Sequence, residues 1–310
     1  MKIAFFECKE EERAFFEAHL TEHELFFFEE AIQASLIQSE DYDIVSVFVH
    51  SRVTNEILDN LPKLSYIQTR STGFDHLKCS KLYERGLKAS NVAGYAGPAV
   101  AEFAFSLLLN ATRKTYTALE RSKKNDDSYL DLKGVELYDK TVGIIGLGTI
   151  GLHMTKIAKG FGMHVLGYSR TEKPIFEELG IDFVSLEVVL KGADILMLAV
   201  PLSPSTEYLI NTTNSQLIKE NCIIINIARN EIIEPSLYHS LPNTIACDID
   251  NNTSLSQKEN ILHTPHMAYY TSEALLRILQ ISLENMSQFI RGEVPQHCLK
   301  IECEKEYTLD

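Results

Sequence analysis

Apolar residues in the first hundred positions fall into short runs, separated by stretches in which they recur every three to four residues. Runs at 3–6, 24–28, 44–49 and 66–69 read as strands, and residues 10–19 read as a helix between the first two. Strands alternating with helices imply a parallel sheet covered on both faces. Phe26-Phe27-Phe28 fits a buried strand of that sheet better than a ligand-stacking platform.

The pattern breaks at Gly94-Tyr95-Ala96-Gly97-Pro98. Residues 99–113 follow as an Ala/Leu/Phe-rich helix that is apolar almost all round, which predicts burial between domains or between subunits. Residues 121–138 are polar and irregular, and are expected to wrap over a surface or reach a partner subunit. From Thr141 the alternation restarts. Strands are predicted at 142–145, 164–168, Phe183, 195–200, 222–227, 244–247 and 261–262, with helices at 152–160 and 185–190. A doubly wound sheet of six or seven strands follows, its ligand at the carboxyl ends of the strands. Residues 272–291 read as a final helix leading away from it.

Within this second half, Thr141-Val142-Gly143-Ile144-Ile145-Gly146-Leu147-Gly148-Thr149-Ile150-Gly151 runs from an apolar strand through G-x-G-x-x-G into a helix start. Gly146 permits the tight turn, Gly148 lets a pyrophosphate approach the backbone, and Gly151 lets the helix pack on the sheet. The N–H groups and dipole of that helix N-terminus favour an anion. A dinucleotide is the ligand this context predicts. The next strand ends in Ser169-Arg170-Thr171, with Lys173 close behind, where a carboxylate for the adenosine ribose is usual. A carboxylate would repel a 2′-phosphate, whereas these side chains can bond and pair with it, so NADP(H) is expected in preference to NAD(H).

Bulk properties narrow the class. The 310 residues suffice for two ordinary domains. Lys+Arg 29 against Asp+Glu 43 gives a net charge of −14, which argues against nucleic acid or an anionic membrane as partner. The six cysteines include no CxxC pair, and Cys222 and Cys247 lie in apolar runs, so reduced thiols and a cytoplasmic location are expected. The start, Met1-Lys2-Ile3-Ala4-Phe5-Phe6, turns acidic at once and reads as a first strand rather than a signal peptide. No apolar run is long enough to span a bilayer, and no His/Cys/Asp/Glu set has metal-ligand spacing.

Four motifs in order resemble those of the D-2-hydroxyacid dehydrogenases: the segment from Asp139 to Gly151, Pro201-Leu202-Ser203-Pro204-Ser205-Thr206, Ile225-Asn226-Ile227-Ala228-Arg229-Asn230, and Thr264-Pro265-His266-Met267-Ala268. The resemblance covers nearly the whole chain, and Tyr269-Tyr270-Thr271 brings it nearer the D-lactate dehydrogenase branch than the phosphoglycerate branch. It implies an α/β protein of two doubly wound parallel-sheet domains, a flavodoxin-like substrate domain at 1–98 with 276–310 and a Rossmann domain at 99–275. The site would lie between them, and relatives are homodimers.

The activity so implied is reduction of a small 2-keto acid to a D-2-hydroxy acid by NAD(P)H. Arg229, with its fixed fork of donors, would bind the substrate carboxylate and carbonyl, and His266 would be the general acid. The loop with Ser71, Thr72 and Gly73 would bind the carboxylate through backbone N–H groups, and Tyr95 and Tyr269 would shape the pocket. Cofactor contacts would come from Val100, Gly146, Gly148, Thr149, Ile150, Gly151, Ser169, Arg170, Val200, Pro201, Thr206, Ile227, Ala228, Asp248, His266 and Ala268. One departure stands out: the family's usual Glu, five residues after Asp248, is Thr253 here, and Asp250 is the nearest carboxylate available to substitute for it beside His266. Asn230 also replaces the usual Gly after Arg229. Two alternatives remain at this stage, a dinucleotide-sensing regulator of the corepressor type and a formate- or phosphite-type oxidoreductase on the same scaffold.

Overall fold

Among the described residues, all ten strand pairings are parallel, as alternating strands and helices require. The computed structural model describes residues 1–37, 41–77, 79–171, 173–249, 258 and 260–299. Its chain divides into two units, Met1–Tyr95 with Ser272–Asp310, and Ala96–Thr271. The sequence had placed the divisions at 98/99 and 275/276.

In the first unit β1 (Lys2–Phe5), β2 (Glu24–Phe27), β3 (Ile44–Val47), β4 (Tyr66–Thr69) and β5 (Lys88–Ser90) form one sheet in the order β2-β1-β3-β4-β5. The hydrophobic pattern misses β5, because only Ala89 of its three residues is apolar; its pairing with β4 is what makes it a strand. The three phenylalanines lie on or beside the edge strand β2 and are half-buried, with Phe27 and Phe28 stacked on Phe5 and Phe6. The helix Ser272–Ile290 packs on this sheet, with Phe289 stacked on the buried Tyr66.

The second unit carries β6 (Thr141–Ile145), β7 (His164–Tyr168), β8 (Asp182–Phe183), β9 (Ile195–Leu198), β10 (Ile223–Asn226), β11 (Ile245–Asp248) and β12 (Ile261–Thr264), in the order β12-β11-β10-β9-β6-β7-β8. The direction of winding reverses between β6 and β9, which lie side by side. A doubly wound sheet opens its ligand crevice at that point. Both units are thus doubly wound α/β sheets, as expected.

The apolar helix, Gly97–Arg113, packs on the helix Thr149–Gly160 and on β10 and β11. The burial expected at a domain or subunit boundary is therefore met inside the second unit, where a sheet face and a neighbouring helix together surround it. Contact at its start is tight: a Cβ on Gly97 would lie 2.8 Å from Thr149 Cγ2. A short helix, Thr115–Ser122, buries none of its residues. Beyond it the chain is irregular up to β6, apart from a bidentate pair in which Arg121 donates to Asp131 at 2.6 Å twice. Tyr129, Leu130 and Tyr138 in this stretch are 75%, 84% and 74% exposed.

Cys8 in the first unit and Cys222 and Cys247 in the second are buried free thiols, and burial pushes each up to about 12. Among the described residues, no helix is long and apolar enough to cross a membrane.

Candidate active site

Nearly every second-unit residue expected to bind or react sits just beyond the carboxyl end of a strand. After β6 the chain turns at Gly146, whose φ of 104° and 2.5 Å approach to the Ala199 carbonyl, had it a Cβ, leave room for glycine alone. A Cβ on Gly151 would stand 2.2 Å from the Gly146 carbonyl, so the helix Thr149–Gly160 can approach the turn only without a side chain there. Gly148, the helix N-cap, differs: a Cβ there would meet nothing within 4 Å, and no side chain caps the helix. Its place in the fingerprint is not explained by packing. An open approach to an uncapped helix start, with Thr149 exposed and Ile150 half-buried in its first turn, is the cradle a pyrophosphate fits.

A cavity of about 260 Å³ adjoins this turn. Gly146 and Gly148 line one side, Ser169, Arg170, Thr171 and Lys173 after β7 a second, and Val200, Pro201, Ser205 and Thr206 after β9 a third. Two of these sides meet through hydrogen bonds: Arg170 Nη1 donates to Ser205 Oγ at 3.4 Å, and Ser205 in turn shares a hydrogen bond of 3.0 Å with Ser203, behind the cavity lining. Ser205 stands inside a quoted motif but had no role assigned to it; its facing Arg170 across 35 residues is visible only in three dimensions. Thr206 is otherwise engaged. Its hydroxyl donates to the Pro201 carbonyl at 2.6 Å and accepts from Ser203 N at 2.8 Å, so it shapes the loop from within. Together the cradle and cavity suit a dinucleotide. Val100, in the first turn of the helix Gly97–Arg113, is buried, as are Ile227 and Ala228 after β10.

Arg229 follows β10 by three residues and is exposed. Its guanidinium makes one hydrogen bond, Nη1 to the Ala228 carbonyl at 2.8 Å, and no ion pair among the described residues. The turn beneath it is fixed by Asn226. That fully buried amide donates to the Arg229 carbonyl at 2.9 Å and to Tyr238 Oη at 3.0 Å, and accepts from Ala228 N at 3.0 Å. The sequence motif by itself gives Asn226 no role. A buried Asn ending a strand just before an exposed Arg was the signal available.

His266 stands two residues past β12, half-buried, with φ of 50°, a left-handed conformation that costs a non-glycine residue energy. Its N–H donates to the Thr264 carbonyl at 3.0 Å, and its ring meets Tyr269 edge-on, 6.4 Å between centroids. Asp248 ends β11, is 1% exposed, and turns its carboxylate to this same loop: it accepts from Thr264 Oγ1 at 2.6 Å, Met267 N at 2.9 Å and Ala268 N at 2.7 Å. Asp250 and Thr253 lie outside the described residues. His263 belongs to β12 and bonds the Ile249 carbonyl at 3.1 Å.

In the first unit, β4 delivers the loop 71–73. Ser71 Oγ donates to the Gly73 carbonyl at 2.6 Å and Thr72 Oγ1 to the Val92 carbonyl at 2.8 Å. Both hydroxyls are thereby committed to backbone, and what this loop can offer a ligand is N–H. Behind it Thr69 Oγ1 bonds both Ser71 Oγ, at 2.7 Å, and His76 Nε2, at 2.9 Å. Burial pushes the His76 imidazole below its ordinary value, against the opposing pull of Glu7 and Asp75. Tyr95 is buried, and its carbonyl accepts from Arg277 Nε at 2.6 Å.

A parallel, doubly wound sheet with a glycine-rich dinucleotide turn, and an arginine and a histidine on the same sheet edge, defines a nicotinamide-dependent oxidoreductase. Residues 105–268 match the D-isomer specific 2-hydroxyacid dehydrogenase NAD binding domain. The chain is 32% identical over 274 residues to a glyoxylate reductase of Pyrococcus furiosus, covering 83% of this chain and 82% of that one. It is 30% identical over 277 residues to the D-lactate dehydrogenase of Escherichia coli, covering 81% and 84%. The apo-structure of D-lactate dehydrogenase from Escherichia coli superposes with a TM-score of 0.86 at 28% identity, over 96% of this chain and 100% of that one. The chain belongs to the D-isomer specific 2-hydroxyacid dehydrogenase family. It is an oxidoreductase that uses a nicotinamide dinucleotide to interconvert 2-keto and D-2-hydroxy acids. The regulatory and formate- or phosphite-type alternatives find no support among these relatives.

Proposed function

We propose that the chain reduces a small 2-keto acid of the glyoxylate or pyruvate size with NADPH in preference to NADH, using Arg229 and His266. The observation that carries the reading is the state of Arg229: an exposed guanidinium on a rigidly held turn, its charge matched by no carboxylate among the described residues. Such a fork can clamp a 2-keto acid through its carboxylate and polarise the adjacent carbonyl oxygen. His266, two residues past β12, supplies the proton that the carbonyl oxygen needs as it becomes a hydroxyl, and takes it back in the reverse direction. A bound nicotinamide supplies or accepts the hydride. The N–H groups of the 71–73 loop hold the carboxylate, and Tyr95 and Tyr269 bound the space available to the substrate side chain.

For the cofactor, Gly146, Gly148, Thr149, Ile150 and Gly151 take the pyrophosphate. Ser169 and Arg170 take the 2′-phosphate, which Arg170 can neutralise and Ser169 can hydrogen-bond. Val100, Val200, Pro201, Ile227, Ala228 and Ala268 give the apolar surface along the remainder. The large exposed side chains of 116–138 support a homodimer formed through that stretch, since apolar surface of this kind usually meets a partner. Free, buried thiols fit the reducing cytoplasm.

Reduced-cofactor consumption tests the reading directly, with NADPH and NADH side by side over glyoxylate, pyruvate, hydroxypyruvate and phenylpyruvate. Turnover favouring NADPH, lost in Arg229→Lys and His266→Gln, is the expected result. An NADH preference overturns the cofactor assignment alone, and wild-type rates in either variant overturn the residue roles.

A further inference from the structure

Three consecutive carbonyls in the loop after β4 are each tied from within the first unit. Ser71 O accepts from Val92 N at 3.0 Å, Thr72 O from Asn91 Nδ2 at 2.7 Å, and Gly73 O from Ser71 Oγ at 2.6 Å. A trans peptide points its N–H opposite to its carbonyl. The N–H groups of Thr72, Gly73 and Phe74 are therefore turned away from those three partners, and among the described residues none of them meets an acceptor. Successive backbone N–H groups left in this way attract an anion.

The tie on Gly73 belongs to a longer chain. Ser71 Oγ also bonds Thr69 Oγ1 at 2.7 Å, and Thr69 Oγ1 bonds His76 Nε2 at 2.9 Å. Each hydroxyl has one hydrogen to give. Ser71 gives its own to the Gly73 carbonyl, so the hydrogen between Thr69 and Ser71 comes from Thr69. Thr69 then has none left for the ring, and the hydrogen of the last bond sits on Nε2. With the hydrogen on Nδ1 instead, Nε2 would claim the Thr69 hydrogen, and Ser71 would have one hydrogen for two acceptors. Thr69 is 0% and Ser71 4% exposed, which leaves no bulk solvent to repair the break. Burial favours the neutral ring, against Glu7 and Asp75; a further proton would enter at Nδ1 and leave the direction of the chain unchanged.

We propose that His76 is a positioning residue for the substrate carboxylate: its Nε2–H fixes the direction of the chain that holds the Gly73 carbonyl, and so aims the Phe74 N–H at the bound anion. It acts through Thr69 and Ser71. The proposal rests on the reading of this loop as the carboxylate site. Heteronuclear NMR of the histidine side chains at about pH 8, above the ordinary imidazole value, reads the tautomer in the wild-type protein, with His76→Gln to assign the resonance. Hydrogen on Nε2 is expected, and hydrogen on Nδ1 would overturn the proposal.

Kinetics carry the test to function. His76→Gln keeps an N–H able to reach Thr69, His76→Leu has none, and Ser71→Ala frees the Gly73 carbonyl outright. For each, and for the His76→Leu/Ser71→Ala double variant, the measurements are kcat, KM for glyoxylate or pyruvate, the cofactor Kd by fluorescence, and Tm. Ser71→Ala and His76→Leu should each raise the keto-acid KM by about 3- to 10-fold, the range of one hydrogen bond, the former by more. Both should change kcat less, since the contact serves bound substrate and transition state alike. His76→Gln should restore the keto-acid KM to within about twofold of wild type, the scatter of an uncoupled change. In the Ser71→Ala background, His76→Leu should cause no further loss. A loss that adds in full there would overturn the proposal. If only Ser71→Ala is impaired, the proposal fails and the reading of the loop stands. If Ser71→Ala itself keeps the wild-type keto-acid KM, the reading of the loop fails, and the proposal with it.

Discussion

Asn226 donates to the carbonyl of Arg229 at 2.9 Å, so the residue that ends β10 also fixes the backbone that presents the guanidinium. The same amide accepts from Ala228 N and donates to Tyr238 Oη. Asn226 and Tyr238 are both buried.

Removing that amide should cost both stability and substrate binding. Asn226→Ala orphans the buried Ala228 N–H, worth about 1–3 kcal/mol, and leaves the Arg229 carbonyl with the Ile232 N–H as its remaining donor. A Tm several degrees lower is expected, together with a KM for the keto acid raised more than the KM for the cofactor. Thermal unfolding and steady-state kinetics on one preparation check it; an unchanged keto-acid KM would separate Asn226 from Arg229.

The glycines of the fingerprint should divide into two kinds. Gly151→Ala places a methyl 2.2 Å from the Gly146 carbonyl, and should lower Tm markedly or prevent folding. Gly148→Ala meets no protein atom within 4 Å, and should fold with near-native Tm. Its loss should appear in dinucleotide Kd, by about tenfold or more if the added methyl stands where the pyrophosphate approaches. Equal effects of the two variants on Tm would count against this division.

Arg170 and Ser205 give a graded test of cofactor choice. Arg170→Ala should lower kcat/KM for NADPH by about 10–10²-fold, since a charge-assisted contact worth about 1.5–3 kcal/mol is lost, and leave NADH little changed. Ser205→Ala, which removes the hydroxyl that Arg170 bonds, should act in the same direction and less. Parallel loss with both cofactors would place Arg170 outside 2′-phosphate recognition.

His76 links pH to the first unit. Burial, the largest influence, lowers its pKa in the folded chain, with Glu7 and Asp75 opposing. The native state therefore favours the neutral ring more than the unfolded chain does. The stability so gained is present above the unfolded value, 6.5, and is lost as pH falls through the lowered folded value. Between about pH 7 and about pH 5, wild type should lose more Tm than His76→Gln. Differential scanning calorimetry across that range decides it, and identical slopes would remove His76 from the linkage.

Much of this was legible in the sequence for a definite reason. The seven-stranded sheet could be read because its central strands β6, β9, β10 and β11 are apolar runs buried on both faces, and the turn after β6 because three glycines are needed at fixed spacing. β5 was hidden because Lys88 and Ser90 carry no hydrophobic signal and pair with β4 by backbone alone. The bonds that the Asp248 carboxylate accepts from Thr264, Met267 and Ala268 were hidden because they join residues 16 to 20 positions apart, which no periodicity records. For Gly97–Arg113 the burial was legible and its partner was not: an apolar surface in a sequence does not say what will cover it.

The buried thiols make the chain its own reporter of opening. Cys8 belongs to one unit and Cys222 and Cys247 to the other, and each is pushed up to about 12. The thiolate is the reactive form, so each of these cysteines is held in its unreactive, protonated form while folded. An alkylating reagent will then mark a cysteine in proportion to the fraction of time its surroundings are open. Peptide-resolved labelling in mild denaturant can therefore clock the two halves of the molecule independently, with no probe introduced and no residue changed.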